Sequence, residues 1–478
     1  MAAVHISPFG GQWYPDQPHE LRSLLDDLFE KSLQRTGPYL LSRAAGFVVP
    51  HAGLMYSGVV AAAAYRHLRE NPPERVVLLG FCHRGGPRTI AIPDICGFKT
   101  PLGCVPVDRA AMEDLAASPA FHLVPEDRVC DHSVEIQLPL LQHAAPGVPV
   151  IPLYAGDLDP ETRADGAQKL AAIAGPETVF LVSSDFTHYG PEFGYRPFAT
   201  DEWTAERLEA LDMSVIEACG GLDAGLFLER LAETGATVCG RAPIALWLST
   251  AHLLGGLTQE TLDYQTSGEI VGDYRHSVSY AALGYFPAAS FEISAEDRML
   301  LLKSARQTLE RFRQTGERAA VPPAHLSTAL TRKTAVFVSL HQGESLLGCV
   351  GMHTRHLPLA EAVPEMTLAA ALDDPRFHAA VERAKGPIDI EISVLSPMHA
   401  IADPAEFRLG IDGAFLRKEG HAALLLPQVA CGRDWTREQF LENLSRKAGL
   451  STHAYRARGA RLSVFQAQVF SSSQPANL

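Results

Sequence analysis

The chain has 478 residues, and at roughly 100–200 residues per domain it is long enough for more than one domain. Hydrophobic residues make up 46% and charged residues 20%, a balance that supports a full core and excludes disordered and collagen-like proteins. Lys+Arg 41 against Asp+Glu 55 leaves a net charge of −14, which provides no electrostatic footprint for nucleic acid or anionic lipid.

The first helical pattern covers Glu20–Leu33, where Leu21, Leu24, Leu25, Leu28 and Phe29 share one face. Apolar runs bounded by turn residues come next at Ala45–Val49, Arg75–Gly80, Val148–Tyr154 and Thr178–Ser184, and they read as strands buried on both faces. Ser277–Phe286 reads as a closing strand. This alternation predicts an α/β sheet with helices on both faces, ending a first domain over residues 1–287. After a boundary at Pro287–Ser290, a helix is expected over Ala295–Arg313, with Leu302, Ala305, Leu309 and Phe312 at helical spacing. Strands at Thr334–Ser339, Ser345–Gly351 and Ile388–Leu395, with helices near Pro358–Leu372 and Arg437–Ala448, predict a separate α+β domain over 295–470. The tail 471–478 (SSSQPANL) is expected to be disordered.

The most apolar stretch, Gly46–Tyr65, is interrupted by Pro50, His51 and Ser57, and a membrane span needs about 20 predominantly apolar residues. With no signal peptide visible either, a cytoplasmic protein is expected. The 8 cysteines are spread thinly and are expected to be free thiols. The sequence contains no CxxC, CxxxCxxC, P-loop, GxGxxG or HExxH motif, which removes the commonest enzyme classes.

Residues just past the first domain's strands carry the chemistry. Phe47–Pro50 runs into His51, Val76–Gly80 runs into Cys82 and His83, and Phe180–Val182 runs into Ser183, Ser184 and Asp185, with His188 three residues on. Ligands of open α/β sheets bind beyond the carboxyl ends of parallel strands, so parallel pairing would bring these groups to one rim. His132, opening another helical pattern, is positioned to join them. Cys239 precedes a helix whose first turn holds Pro243, a placement expected to lower the thiol pKa and favour a metal-binding thiolate. Two imidazoles plus one thiolate or carboxylate would leave open positions on a metal that handles oxygen or activates water. With 19 His in the chain, any one alone reads as a cap or core-edge residue, and Cys239 alone as a small buried hydrophobe. The recurrence of His51, His83 and His188 at equivalent strand ends is the pattern that points to a metal site.

The segments VVPHAGLMYSG (Val48–Gly58), LLGFCHRG (Leu78–Gly85), DHSVEIQLP (Asp131–Pro139), VSSDFTHYG (Val182–Gly190) and CGRAPI (Cys239–Ile244) resemble, in order and spacing, the Memo family. Trp13-Tyr14-Pro15 and Ser277–Tyr280 match as well. The resemblance implies a fold similar to class III extradiol dioxygenases, with metal ligands at His51, His83 and Cys239 and nearby active-site residues at Asp185, His188 and His132. Ser57 and Ala242 stand where some relatives carry Cys and His, and neither is a ligand position. The second domain resembles AMMECR1 through LLGCVG (346–351), DDPRF (373–377), IEISVLSP (390–397) and LLLPQVA (424–430). Leu347 stands where that family carries Arg, so a function resting on that side chain is not carried over. Cys349 and Cys431 lack an evident His or Asp partner in their motifs and read as structural. The two families together imply a radical S-adenosylmethionine protein as partner.

The expected activity is that of a non-heme oxidase or oxygenase, with Fe2+ (copper or zinc as other candidates) and O2 as co-substrate. His188, oriented by Asp185, is expected to serve as general acid/base, with His132 hydrogen-bonding a bound oxygen species. The expected substrate is an electron-rich aromatic ring, a small molecule or a peptidyl Trp (indole to oxindole) or Tyr. Zinc-dependent hydrolysis in the same pocket and a non-catalytic docking scaffold are the alternatives. Sequence leaves the oligomeric state open.

Overall fold

A computed structural model describes residues 3–41, 43–85, 88–431 and 433–473. The chain divides into two compact units, Met1–Ser290 and Phe291–Leu478.

The first unit is built on a mixed sheet whose centre runs in the order Gly46–Val49, Thr178–Ser183, Arg75–Gly80, Val150–Ala155. These neighbours are all parallel, with Val49 opposite Ser183 and Leu79 opposite Val182, so their carboxyl ends share one rim. The strands are almost wholly buried, as their uninterrupted apolar runs require. Antiparallel strands border this centre: Ser277–Pro287 against Gly46–Val49, and Ile90–Pro93 against Val150–Ala155. Helices cover both faces. Phe47 meets His67 of the helix Leu54–Glu70, while Phe180, on the opposite face, meets Trp247 of Arg241–Leu254 at 4.9 Å between ring centroids.

A small sheet of Ala3–Ile6, Ile95–Thr100 and Gly103–Pro106, not expected from the sequence, lies in the same unit. Its strands are short and partly exposed, so they carry little of the apolar signal that marks the central ones.

The second unit holds two four-stranded antiparallel sheets. One runs Ser345–Met352, Val336–Gln342, Asp389–Leu395, Ala467–Ser471; its core includes residues of the helices Ala295–Thr315 and Leu359–Leu372. The other runs His399–Ala400, Arg461–Phe465, Gly413–Lys418, His421–Leu425, with the helix Arg437–Lys447 in its core. Ser471, assigned to the disordered tail from sequence, instead closes a strand and pairs with Glu391 because its backbone completes that ladder; residues 474–478 lie outside the described residues. All eight cysteines are free, and among the described residues no helix is long and apolar enough to cross a membrane.

Candidate metal centre

The rim of the parallel strands collects the predicted groups. His51, two residues beyond Val49, is 2% exposed. Its Nδ1 lies 3.0 Å from Ser183 Oγ, and Gln137 Nε2 donates to the same oxygen at 3.0 Å and to Pro50 O at 2.8 Å. Tyr65 in turn donates to Gln137 Oε1 at 2.9 Å. With Nδ1 held by Ser183, Nε2 is the nitrogen left for a cation, and it lies 3.2 Å from Cys239 Sγ. Burial, reinforced by His132 and His83, drives the His51 pKa well below the ordinary histidine value, so the ring is neutral, the form that ligates metal.

Cys239 reaches the rim because Gly240 lets the chain press onto the strand end. A Cβ at Gly240 would lie 2.4 Å from that of Ser184, and the Gly240 N–H donates to Ser184 Oγ at 3.0 Å. The sulfur accepts from the Asp185 N–H at 3.2 Å. The lowered thiol pKa expected from the helix N-terminus is not what the structure produces. Burial, and then the Asp185 carboxylate, push this thiol up, outweighing the hydrogen bonds with Ser184 and the Asp185 and Gly240 backbone that favour the thiolate. A thiolate here therefore requires a cation beside it, since a coordinating thiol loses its proton to the metal's charge.

His83 is clamped by Asp131. One oxygen of that carboxylate meets His83 Nδ1 at 2.8 Å and the other accepts from the His83 N–H at 3.0 Å. A carboxylate on one ring nitrogen is the usual companion of a histidine that ligates through the other. Burial works to raise the Asp131 pKa, yet the hydrogen bonds from His83 and the Ser133 N–H bring it down to about 2. Asp131 is also the N-cap of the short helix His132–Glu135, which sits tight on the strand end because a Cβ at Gly80 would meet Ser133 Oγ at 2.7 Å. His132 stacks on His83 with ring centroids 4.0 Å apart and is tilted against Trp13 at 4.4 Å. Burial lowers its pKa to about 4, despite Asp131 nearby, so it too is neutral.

Ligand atoms of two sets lie mutually within 4.8 Å: His51, His83 and His132, and His51, Asp185 and Cys239. His51 belongs to both. The sequence-derived trio of His51, His83 and Cys239 spans the two sets, with His83 in one, Cys239 in the other and His51 joining them. The orientation of His188 also differs from expectation. Asp185 Oδ1 accepts from the His51 N–H at 2.8 Å, whereas His188 Nδ1 faces the carbonyls of Phe186 and Thr237 at 2.9 and 3.0 Å. Those carbonyls can only accept, so they fix the proton on Nδ1 and leave Nε2 bare. Burial raises the Asp185 pKa, with His188 opposing. Sequence reasoning missed Gln137, the hold of Ser183 on His51 and the clamping role of Asp131. Only Asp131 left a local signal, as an Asp two residues before Ser133 at a helix start.

Beside this rim lies a cavity of about 490 Å³, lined among others by Phe81, Tyr154, Thr237, Cys239 and Arg241, a size that suits a small ligand.

A mixed α/β unit with a His/Cys centre at parallel strand ends defines a class of candidate metalloprotein. A model of the Memo-like protein family matches residues 7–284, and the chain belongs to that family. A model of the AMMECR1 family matches residues 302–470, so the Memo-like domain is fused to a C-terminal AMMECR1 domain. A MEMO1 family protein of Methanosarcina barkeri is 35% identical over 280 residues, covering 57% of this chain and 96% of its own length. One from Methanopyrus kandleri is 31% identical over 288 residues, covering 57% and 95%. Among solved structures, an uncharacterized protein from Pyrococcus horikoshii is 31% identical with a TM-score of 0.35, covering 37% of this chain and 91% of that one.

Proposed function

We propose that the rim holds a non-heme iron ion through His51, His83 and Cys239, and that the chain is an oxidase or oxygenase of electron-rich aromatic rings, with an indole or phenol side chain of a peptide as the favoured substrate. The observation that carries this reading is the 3.2 Å approach of the buried, neutral His51 Nε2 to Cys239 Sγ. The donor set fits such an ion: Ser183 and Asp131 hold the Nδ1 atoms of His51 and His83, so each ring has Nε2 to offer, and nitrogen with sulfur favours iron, copper or zinc over magnesium or calcium. When bound, the ion would supply open positions for an aromatic oxygen or nitrogen and for O2, together with redox change.

The chain's own groups do the rest. His188, its Nδ1–H donated to backbone carbonyls, has a bare Nε2 able to take the phenol or indole proton. Trp13, tilted against His132, brings an indole ring beside the rim imidazoles for a flat ring to meet. Neutral at physiological pH, His132 hydrogen-bonds without bringing charge.

Anaerobic purification with metal quantification, then O2 uptake against indole- and phenol-bearing peptides, tests the reading. Iron in stoichiometric amount and substrate-dependent O2 uptake are expected. Zinc without iron, and no O2 uptake, would replace it with hydrolysis. Binding of a radical S-adenosylmethionine partner left unchanged by His51→Ala and Cys239→Ser, with no turnover in the parent, would replace it with a scaffold.

A further inference from the structure

The segment that carries Asp131 and His132 to the rim has neighbours with no part in that centre. Cys130 and Glu135, flanking it, gather around His5 of the strand Ala3–Ile6. One ligand atom each from His5, Cys130 and Glu135 lie mutually within 4.8 Å. His5 Nε2 is 3.2 Å from Glu135 Oε1, while its Nδ1 is 3.1 Å from Glu126 Oε2. The Phe98 ring packs edge-on against the imidazole at 5.7 Å. Cys130 is 8% exposed and Glu135 only 1%. Most telling, Glu135 Oε2 is buried with no hydrogen-bond partner among the described residues.

We propose that His5, Cys130 and Glu135 form a second metal site, separate from the rim centre, that takes a thiophilic divalent cation, zinc by its donor chemistry. Buried carboxylate oxygens are nearly always satisfied, so the orphaned Oε2 beside a thiol and an imidazole marks an acceptor lacking its cation. One nitrogen, one sulfur and one carboxylate make a borderline set that suits zinc and excludes magnesium and calcium, which want oxygen alone. Glu126 on Nδ1 supplies the companion carboxylate that steadies a ligating histidine. On loading, the Cys130 thiol proton and any proton on His5 Nε2 leave to solvent, Glu135 enters as carboxylate, and no electron moves. The cation would tie the strand Ala3–Ile6 to the turn that delivers Asp131 and His132.

The test uses the full chain, stripped with chelator and titrated with Co2+ and then Zn2+. Cys239→Ser removes the rim thiol, so a cobalt–thiolate absorption band that persists in this variant, and that Zn2+ abolishes, is the expected result. The band should vanish in Cys130→Ser/Cys239→Ser, and Glu126→Gln/Cys239→Ser should bind about tenfold more weakly. No thiolate band in Cys239→Ser overturns the site outright and leaves an ion pair of His5 with Glu126 and Glu135; this outcome stands even if the double variant fails to fold. A band that survives Cys130→Ser/Cys239→Ser overturns it equally. The rim centre is read separately, in Cys130→Ser, so the failure of one proposal is distinct from failure of the other.

Discussion

Two buried aspartates, Asp185 in the first unit and Asp374 in the second, behave differently. In the second, Asp374 takes two hydrogen bonds from Arg376, at 2.9 and 2.7 Å, and Asp412 is held the same way by Arg408. Arg376 brings the Asp374 pKa down to about 2, so that carboxylate is permanently charged. In the first unit, Asp185 accepts the backbone N–H of His51, and burial raises its pKa. A carboxylate neutralised by a guanidinium within its own turn is structure. One left in a dry rim among imidazoles and a thiol is poised for a cation or a proton. The difference stems from topology: parallel strands end together and leave a crevice at their carboxyl edge, while antiparallel sheets return the chain at each end.

Substitutions can break this comparison. The largest effect is expected for Cys239→Ser, which removes the rim sulfur: iron content measured after purification should fall to background, and O2 uptake with it, with the second unit's melting unchanged. Next comes Asp131→Asn, which loosens the clamp on His83. Metal affinity should fall by about 10–100-fold in a competition titration with a chelator. The matched change in the second unit, Asp374→Asn, should leave metal affinity alone and cost about 1–3 kcal/mol of stability, because the Cys349 N–H loses a charged acceptor. If Asp374→Asn lowers metal affinity as much as Asp131→Asn does, the contrast between the units is wrong.

Gly240→Ala sharpens it further. A methyl group 2.4 Å from the Ser184 Cβ must shift the Cys239 turn, at a cost of about 1–3 kcal/mol by thermal melting and with weakened metal binding. The smallest expected effect concerns pH. His67 is buried, which lowers its pKa to about 4 while its Nδ1 contacts Ala63 O at 2.9 Å. The unfolded chain therefore binds this proton first, so stability is full above about pH 6.5 and is lost as pH falls toward 4. Between pH 7 and 5 the loss amounts to about 2 kcal/mol. Chemical denaturation of His67→Gln at the two pH values should show that part of the pH dependence removed.

The central strands were legible because burial on both faces wrote itself as unbroken apolar runs, and Arg75–Gly80 has the same bounds in pattern and in structure. That His51, His83 and Asp185 lie at one rim came from those runs plus the rule for parallel sheets. The grouping did not, because it depends on side-chain direction. Stacking turns His83 toward His132, and the close approach at Gly240 turns Cys239 toward His51 and Asp185. His5 and Glu135 meet across a sequence separation of 130, without periodicity to announce it. In the second unit, Gly413–Lys418 and Arg461–Phe465 begin or end in basic residues and escaped notice for lack of a sustained apolar run.

His51 belongs to both rim sets, yet its Nδ1 is engaged by Ser183, so it has a single nitrogen to give. Any cation the rim seats therefore meets residue 51 through Nε2 alone, with the sulfur on one flank and two further imidazoles on the other.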